Sequence, residues 1–155
     1  MRAISDHEVS VVARIWHRGW HDAHASIVPK ELTAQRTLAS FEERLKRAKP
    51  FTNVCFTEAG IAGFTIIKEN EIDQFYVAPT DRGKGVAQLL MLDAETRISD
   101  AGFEKAWLAC SIGNDRAARF YEKSGWENVG SKTMMFEAAD GPFPLDVWIF
   151  ETALI

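Results

Sequence analysis

The chain has 155 residues, enough for one domain with a proper core, and its 46% hydrophobic and 26% charged residues are those of an ordinary globular protein. A formal net charge of -4 argues against a general nucleic-acid or polyanion binder, which carries a basic face. The opening MRAISDHE lacks a signal-peptide pattern and no apolar run reaches membrane-spanning length, so a cytoplasmic protein without a membrane partner is expected.

Arg2–Ile4 reads as a short first strand. Ser5-Asp6-His7-Glu8 has the form of a capping box, and Val9, Val12, Ala13, Trp16 and Trp20 follow at helical spacing. The next segment, HRGWHDAHASIVP, is an aromatic- and histidine-rich loop or helix end. His17 and His21 stand four apart, but Arg18 replaces the Glu of HExxH and Gly19 weakens the helix between them, so no metal is expected. Pro29 opens a second helix, with Leu32, Leu38, Phe41 and Leu45 as its core face and a restart at Ser40-Phe41-Glu42-Glu43. The basic residues Arg44, Lys46, Arg47 and Lys49 read as a solvated helix end.

Three short strands follow, at Thr52–Thr57, Ile61–Lys68 and Glu71–Val77, with tight turns at Ala59-Gly60 and Glu69-Asn70. Val86, Leu89, Leu90, Ala94 and Ile98 then mark a long helix that Gly102 closes. Lys105–Cys110 is a buried strand, and Asn114 caps a short helix ending at Gly125. The tail alternates as two strands, Asn128–Phe136 and Leu145–Phe150, around a turn at Asp140-Gly141-Pro142. Cys55 and Cys110, the only cysteines, both lie in apolar strand-like runs and read as buried free thiols. No repeat or linker interrupts the order, so residues 1–155 form a single α/β domain.

The most informative stretch is EIDQFYVAPTDRGKGVAQLLML, Glu71–Leu92. A strand runs into a glycine-punctuated polar turn and then a helix. The first-turn amides of a helix lack internal partners and lie at the positive end of its dipole, so they attract an anion. Arg82 and Lys84 add side-chain charge. The turn is neither a Walker GxxxxGK[ST] loop nor GxGxxG with an acidic residue downstream. It does match Arg-x-x-Gly-x-Ala, as Arg82-Gly83-Lys84-Gly85-Val86-Ala87, which resembles the acetyl-CoA pyrophosphate loop of the GNAT superfamily of N-acetyltransferases. Asn114-Asp115-Arg116-Ala117, leading into Tyr121 and Gly125-Trp126, resembles a later motif of the same family, one helix and one strand further on.

The resemblance covers most of the chain from Thr52 onward. It implies a mixed, mostly antiparallel sheet of six to seven strands flanked by helices, with the fourth and fifth strands splayed to hold CoA. It also implies acetyl-CoA as co-substrate, with Phe75, Tyr76 and Val77 beside the pantetheine arm. Arg82, Gly83, Lys84, Gly85, Val86, Ala87 and Gln88 are expected on the pyrophosphate, and Asn114 and Tyr121 are further expected cofactor-binding residues. Tyr121 is the expected acid for the leaving thiolate. Relatives that acetylate protein N-termini carry a Glu where Ala109 stands, so the base is taken to be Glu71, with Asp73, His21 and His24 as alternatives. Trp16, Trp20, His21 and His24 are expected to line the acceptor pocket. The reading is an N-acetyltransferase acting on a small-molecule or amino-acid-like amine, with a peptide acetyltransferase or a non-catalytic acyl-CoA-binding module as alternatives. A homodimer stays open as an assembly.

Overall fold

A computed structural model describes residues 1–154. Seven strands, β1 (Arg2–Ala3), β2 (Thr52–Thr57), β3 (Gly60–Lys68), β4 (Glu71–Val77), β5 (Lys105–Ser111), β6 (Glu127–Phe136) and β7 (Phe143–Ala153), form one sheet in the order β1-β2-β3-β4-β5-β7-β6. All neighbouring pairs are antiparallel except β4 and β5, which are parallel. The helices are α1 (Val9–His24), α2 (Lys30–Gln35), α3 (Leu38–Ala48), α4 (Val86–Asp100) and α5 (Asp115–Lys123). The expected α/β domain and its mixed sheet are therefore present; Ile155 lies outside the described residues.

Several boundaries differ from the sequence reading. α1 runs unbroken through Gly19 to His24, so of the two readings of the histidine-rich segment the helix end holds for its first part, and a turn follows over residues 25–28. Gly19 is tolerated because an added Cβ there would come within 2.4 Å of Tyr76 Cδ1: the missing side chain makes room for that ring. α3 starts earlier than Ser40, since the Thr37 hydroxyl accepts from the Ser40 N–H at 3.2 Å. In α4, Leu89 is exposed and Met91 takes the expected place in the core.

One apolar layer, around Trp16, Phe41, Phe64 and Leu45, joins α1 and α3 to β2 and β3. Another, around Ile98, Leu108, Tyr121 and Phe150, joins α4 and α5 to β5 and β7. Each large apolar side chain fully buried in these layers contributes about 1.5–3 kcal/mol. The two layers meet at the seam between β4 and β5. That seam does not close: its only register pair is Glu71 with Trp107, supported by the Trp107 N–H donating to the Asn70 carbonyl at 3.0 Å. Beyond Glu71 the strands part, leaving the β5-facing edge of β4 without a strand partner.

Candidate active site

The gap between β4 and β5 opens into a cleft of about 350 Å³. Its floor is the parted strands, with Phe75, Tyr76 and Val77 on one side and Leu108, Ala109 and Cys110 on the other. α5 contributes Ala117, Phe120 and Tyr121, and Asn114 stands just before it. Asn114 holds the N-cap position without a side-chain cap hydrogen bond and borders the cleft. At the opposite end α1 and α2 supply Trp20, Ala23, His24 and Leu32, while Phe136 and Leu145 of the β6–β7 hairpin form a facing wall.

A second hollow of about 310 Å³ adjoins the first and shares Val77, Arg82, Ala87 and Phe120 with it. Asp81, Gly83, Gly85, Val86 and Gln88 complete its lining; the Lys84 side chain borders neither hollow. Gly83 and Gly85 have φ of +77° and +83°, left-handed values that suit glycine, and a Cβ on either would meet nothing within 4 Å. The turn therefore presents open backbone. The Leu89 N–H is already bonded to the Gly85 carbonyl at 3.2 Å, so the amides ahead of it at the start of α4 are the ones left for an anion. Arg82 lies 3.7 Å from Asp22 and near Arg116, a second cleft-lining arginine that the sequence reading did not single out.

The ionisable groups differ in how their surroundings hold them. Tyr121 is buried against Phe75, Phe120 and Phe150, and burial pushes its phenol well above the ordinary value, so it stays protonated. Its hydroxyl has no hydrogen-bond partner among the described residues. Burial pushes the Cys110 thiol up to about 12, leaving an inert thiol. Glu71, at the shut end of the seam, is raised to about 7 by burial and then by the charge of Asp73, yet it does not border the cleft. Asp73 does. The β3–β4 register jumps from Ile66–Gln74 to Ile67–Ile72, so Asp73 is the unpaired residue of a β-bulge that re-aims the strand.

Of the four residues expected around the acceptor, Trp20 and His24 line the cleft. Trp16 does not: it is 2% exposed, in the core against Phe41 and Phe64. His21 is also set back, with Nε2 donating to the Arg36 carbonyl at 2.7 Å. His24 donates from Nδ1 to the Trp20 carbonyl at 3.0 Å, and burial lowers its pKa to about 4, so its Nε2 is a neutral acceptor and too weak a base for neutral pH. Two further cleft arginines differ from the sequence reading, which did not single out Arg36 and took Arg44 as part of a solvated helix end. Arg36 is 5% exposed, and Arg44 turns inward over the Trp16 ring at 4.6 Å rather than out to solvent. Arg44 lies four residues before the buried Ala48 and three after the buried Phe41, a spacing that borders the core face.

The sequence pattern of the Acetyltransferase (GNAT) family matches residues 14–126, most of the chain. The chain belongs to the GNAT family. It is thus an acyltransferase of the N-acetyltransferase type. An uncharacterized N-acetyltransferase of Mycobacterium bovis is 28% identical over 119 residues, 74% of each chain. Among solved structures, a GCN5-related N-acetyltransferase from Rhodopseudomonas palustris superposes with a TM-score of 0.76 at 21% identity, covering 99% of this chain and 94% of that one. PaiA N-acetyltransferase from Thermoplasma acidophilum, solved in complex with coenzyme A, gives 0.69 at 18% identity, covering 98% and 96%. These structural likenesses concern the fold. Among the described residues of this GNAT chain, no cluster of three or more His, Cys, Asp or Glu side chains is placed to hold a metal.

Proposed function

We propose that this GNAT enzyme transfers the acetyl group of acetyl-CoA to the amine of a small-molecule or amino-acid-like acceptor, by direct attack in a ternary complex. The observation that carries the reading is the continuity of the two hollows, from the glycine turn before α4, past the unpaired edge of β4, to the end lined by α1 and α2. The coenzyme A complex of the PaiA relative supports the choice of co-substrate. The pyrophosphate rests on the amides after Gly83 with Arg82 beside it, and the pantetheine arm lies along Phe75–Val77 as an added strand. The thioester oxygen then meets the backbone N–H near Val77, which stabilises the charge that develops there.

The amine nitrogen forms its bond to the thioester carbon, and collapse of the tetrahedral intermediate breaks the C–S bond. Removing the ammonium proton falls to the carboxylates at the start of β4. Asp73 borders the cleft, and Glu71, with a pKa of about 7 suited to the task, is reached through water. Tyr121 gives its proton to the departing thiolate, whose conjugate acid has a pKa of about 8.5. The choice of a small acceptor is supported by the side chains that line the far end, Trp20, His24 and Leu32 together with Phe136 and Leu145.

Free thiol release from acetyl-CoA in the presence and absence of an amine panel tests this reading, with chelator present throughout. Amine-dependent release and formation of the N-acetyl product are expected. Release independent of amine, or turnover of peptides well above small amines, refutes it.

A further inference from the structure

The acceptor end of the cleft is charged in an unusual way. Arg36 is 95% buried by its exposure of 5%, borders the cleft, and its guanidinium has no hydrogen-bond or ion-pair partner among the described residues; its Nε is wholly inaccessible and unpartnered. The group lies over the face of Trp20, 5.7 Å from the ring centroid, and its backbone is pinned by His21. Arg44 stands beside it, with Nη1 likewise buried and unpartnered. One carboxylate, Glu137, serves this side: it receives Arg47 at 2.7 and 3.1 Å and Arg44 at 3.2 Å. Two of the three guanidinium groups thus pair with that carboxylate, and the most buried of the three, Arg36, has none within ion-pair distance among the described residues.

A guanidinium remains charged in a protein, and leaving it buried without an anion is costly, so such an arrangement is normally completed by a partner. The planar fork of Arg matches a carboxylate with two parallel hydrogen bonds. The charge reverses at Asp73 on β4, the carboxylate that borders the same cleft and whose charge Arg44 feels. A cation-lined end facing an anion is the complement of a molecule carrying an amine at one end and a carboxylate at the other. The side walls between them, Leu32, Phe136 and Leu145, are apolar.

We infer that the acceptor is an amino-carboxylic acid whose carboxylate sits on Arg36, with Arg44 alongside, and whose amine points past Asp73 toward the thioester. This inference rests on the acetyltransferase reading above and narrows its substrate class.

Matched acceptors test it: amino acids with small, branched and aromatic apolar side chains, each compared with its primary amide and with the amine lacking the carboxyl carbon. With wild-type enzyme, kcat/KM for the acid is expected to exceed that of amide and amine on the order of 100-fold, mainly through KM, as for a desolvated charge-assisted pair. Arg36→Gln should collapse that ratio to within about threefold, and Arg36→Lys should restore part of it, because Lys keeps the charge but not the fork. A readout independent of turnover is the melting temperature: N-acetylated amino acid should raise it in wild type and not in Arg36→Gln. If wild type acetylates the decarboxylated amines or amides as well as the acids, the inference is overturned while the acetyltransferase reading stands. Should no amine of any kind be acetylated, that reading falls and takes this one with it. The wild-type comparison decides the matter even if Arg36→Gln does not fold.

Discussion

Replacing Gly85 by alanine separates the cost of a strained backbone from the cost of blocking an anion cradle. Gly85 has φ +83° and Gly102, at the far end of α4, has φ +97°; a Cβ on either meets nothing within 4 Å. Neither substitution creates a clash, so both carry only the strain of an L-residue in the left-handed region, about 1–2 kcal/mol. Both should therefore lower the melting temperature by a similar few degrees. Their effects on the ligand should differ. A methyl group at Gly85 occupies the space into which the pyrophosphate settles and displaces it from one or two backbone donors. Hydrogen bonds to a charged partner contribute about 1.5–3 kcal/mol, so losing one corresponds to roughly a 10- to 100-fold weaker Kd. Gly102→Ala should leave Kd within about twofold. The assay is calorimetric titration of each variant with acetyl-CoA, alongside thermal unfolding. Equal Kd changes in the two variants, or none in Gly85→Ala at matched loss of stability, would refute the cradle.

Two further outcomes follow from the ionisable groups. Tyr121→Phe keeps the ring contacts with Phe75, Phe120 and Phe150 and removes only the hydroxyl; kcat should fall on the order of 100-fold with acetyl-CoA affinity nearly unchanged, and a change within about threefold when chemistry limits the rate excludes the acid role. Glu71, raised from 4.5 to about 7, binds its proton more tightly in the folded state, so stability falls as pH rises from about 4.5 to 7. At about 1.4 kcal/mol per pH unit the full effect is near 3 kcal/mol, and solvent access to this half-buried group reduces it to about 1.5. Glu71→Gln should remove that decline, seen as a flatter denaturation midpoint between pH 4.5 and 8; an unchanged pH profile would show that the carboxyl is not held in its neutral form.

The hairpin strands from Thr52 to Val77 and the glycine turn before α4 were legible because they are written locally, in alternation and in residues that demand particular backbone angles. Tyr121 and Asn114 could be assigned to one cleft because seven residues of helix return close to the same face. The acceptor end was not legible in the same way. Arg44 stands in a run with Lys46, Arg47 and Lys49, and its spacing from Phe41 and Ala48 places it at the border of the core face without deciding which way it turns; the stacking on Trp16 depends on how α3 packs across α1. Trp16 was misassigned for the same reason. An amphipathic helix presents its aromatic residues to whatever lies beneath, and only the tertiary arrangement decides that Trp16 meets Phe64 while Trp20, one turn on, meets the cleft.

Gly19 and Asp73 carry this argument to the level of backbone geometry. Local propensity makes Gly19 a weak point in α1, costing about 1 kcal/mol against alanine. The helix nonetheless continues, because the face that Gly19 leaves bare receives the Tyr76 ring, itself stacked on Phe64 at 5.8 Å. That contact fixes β4 against α1 at the level where β4 has already left β5. Asp73 belongs to the same event. It is the extra residue of the β4 bulge, and the parting of the sheet begins just upstream, after the Glu71–Trp107 pair. A bulge bends and twists its strand more strongly than regular pairing allows, so one inserted residue accounts both for a carboxylate turned toward the cleft and for the departure of β4 from its parallel neighbour. Neither glycine nor proline marks that position. The register is set by β3, whose Ile66 is buried in the α1–α3 layer and whose Ile67 packs against the α4–α5 layer, which places the origin of the gap in long-range packing rather than in the residues that line it.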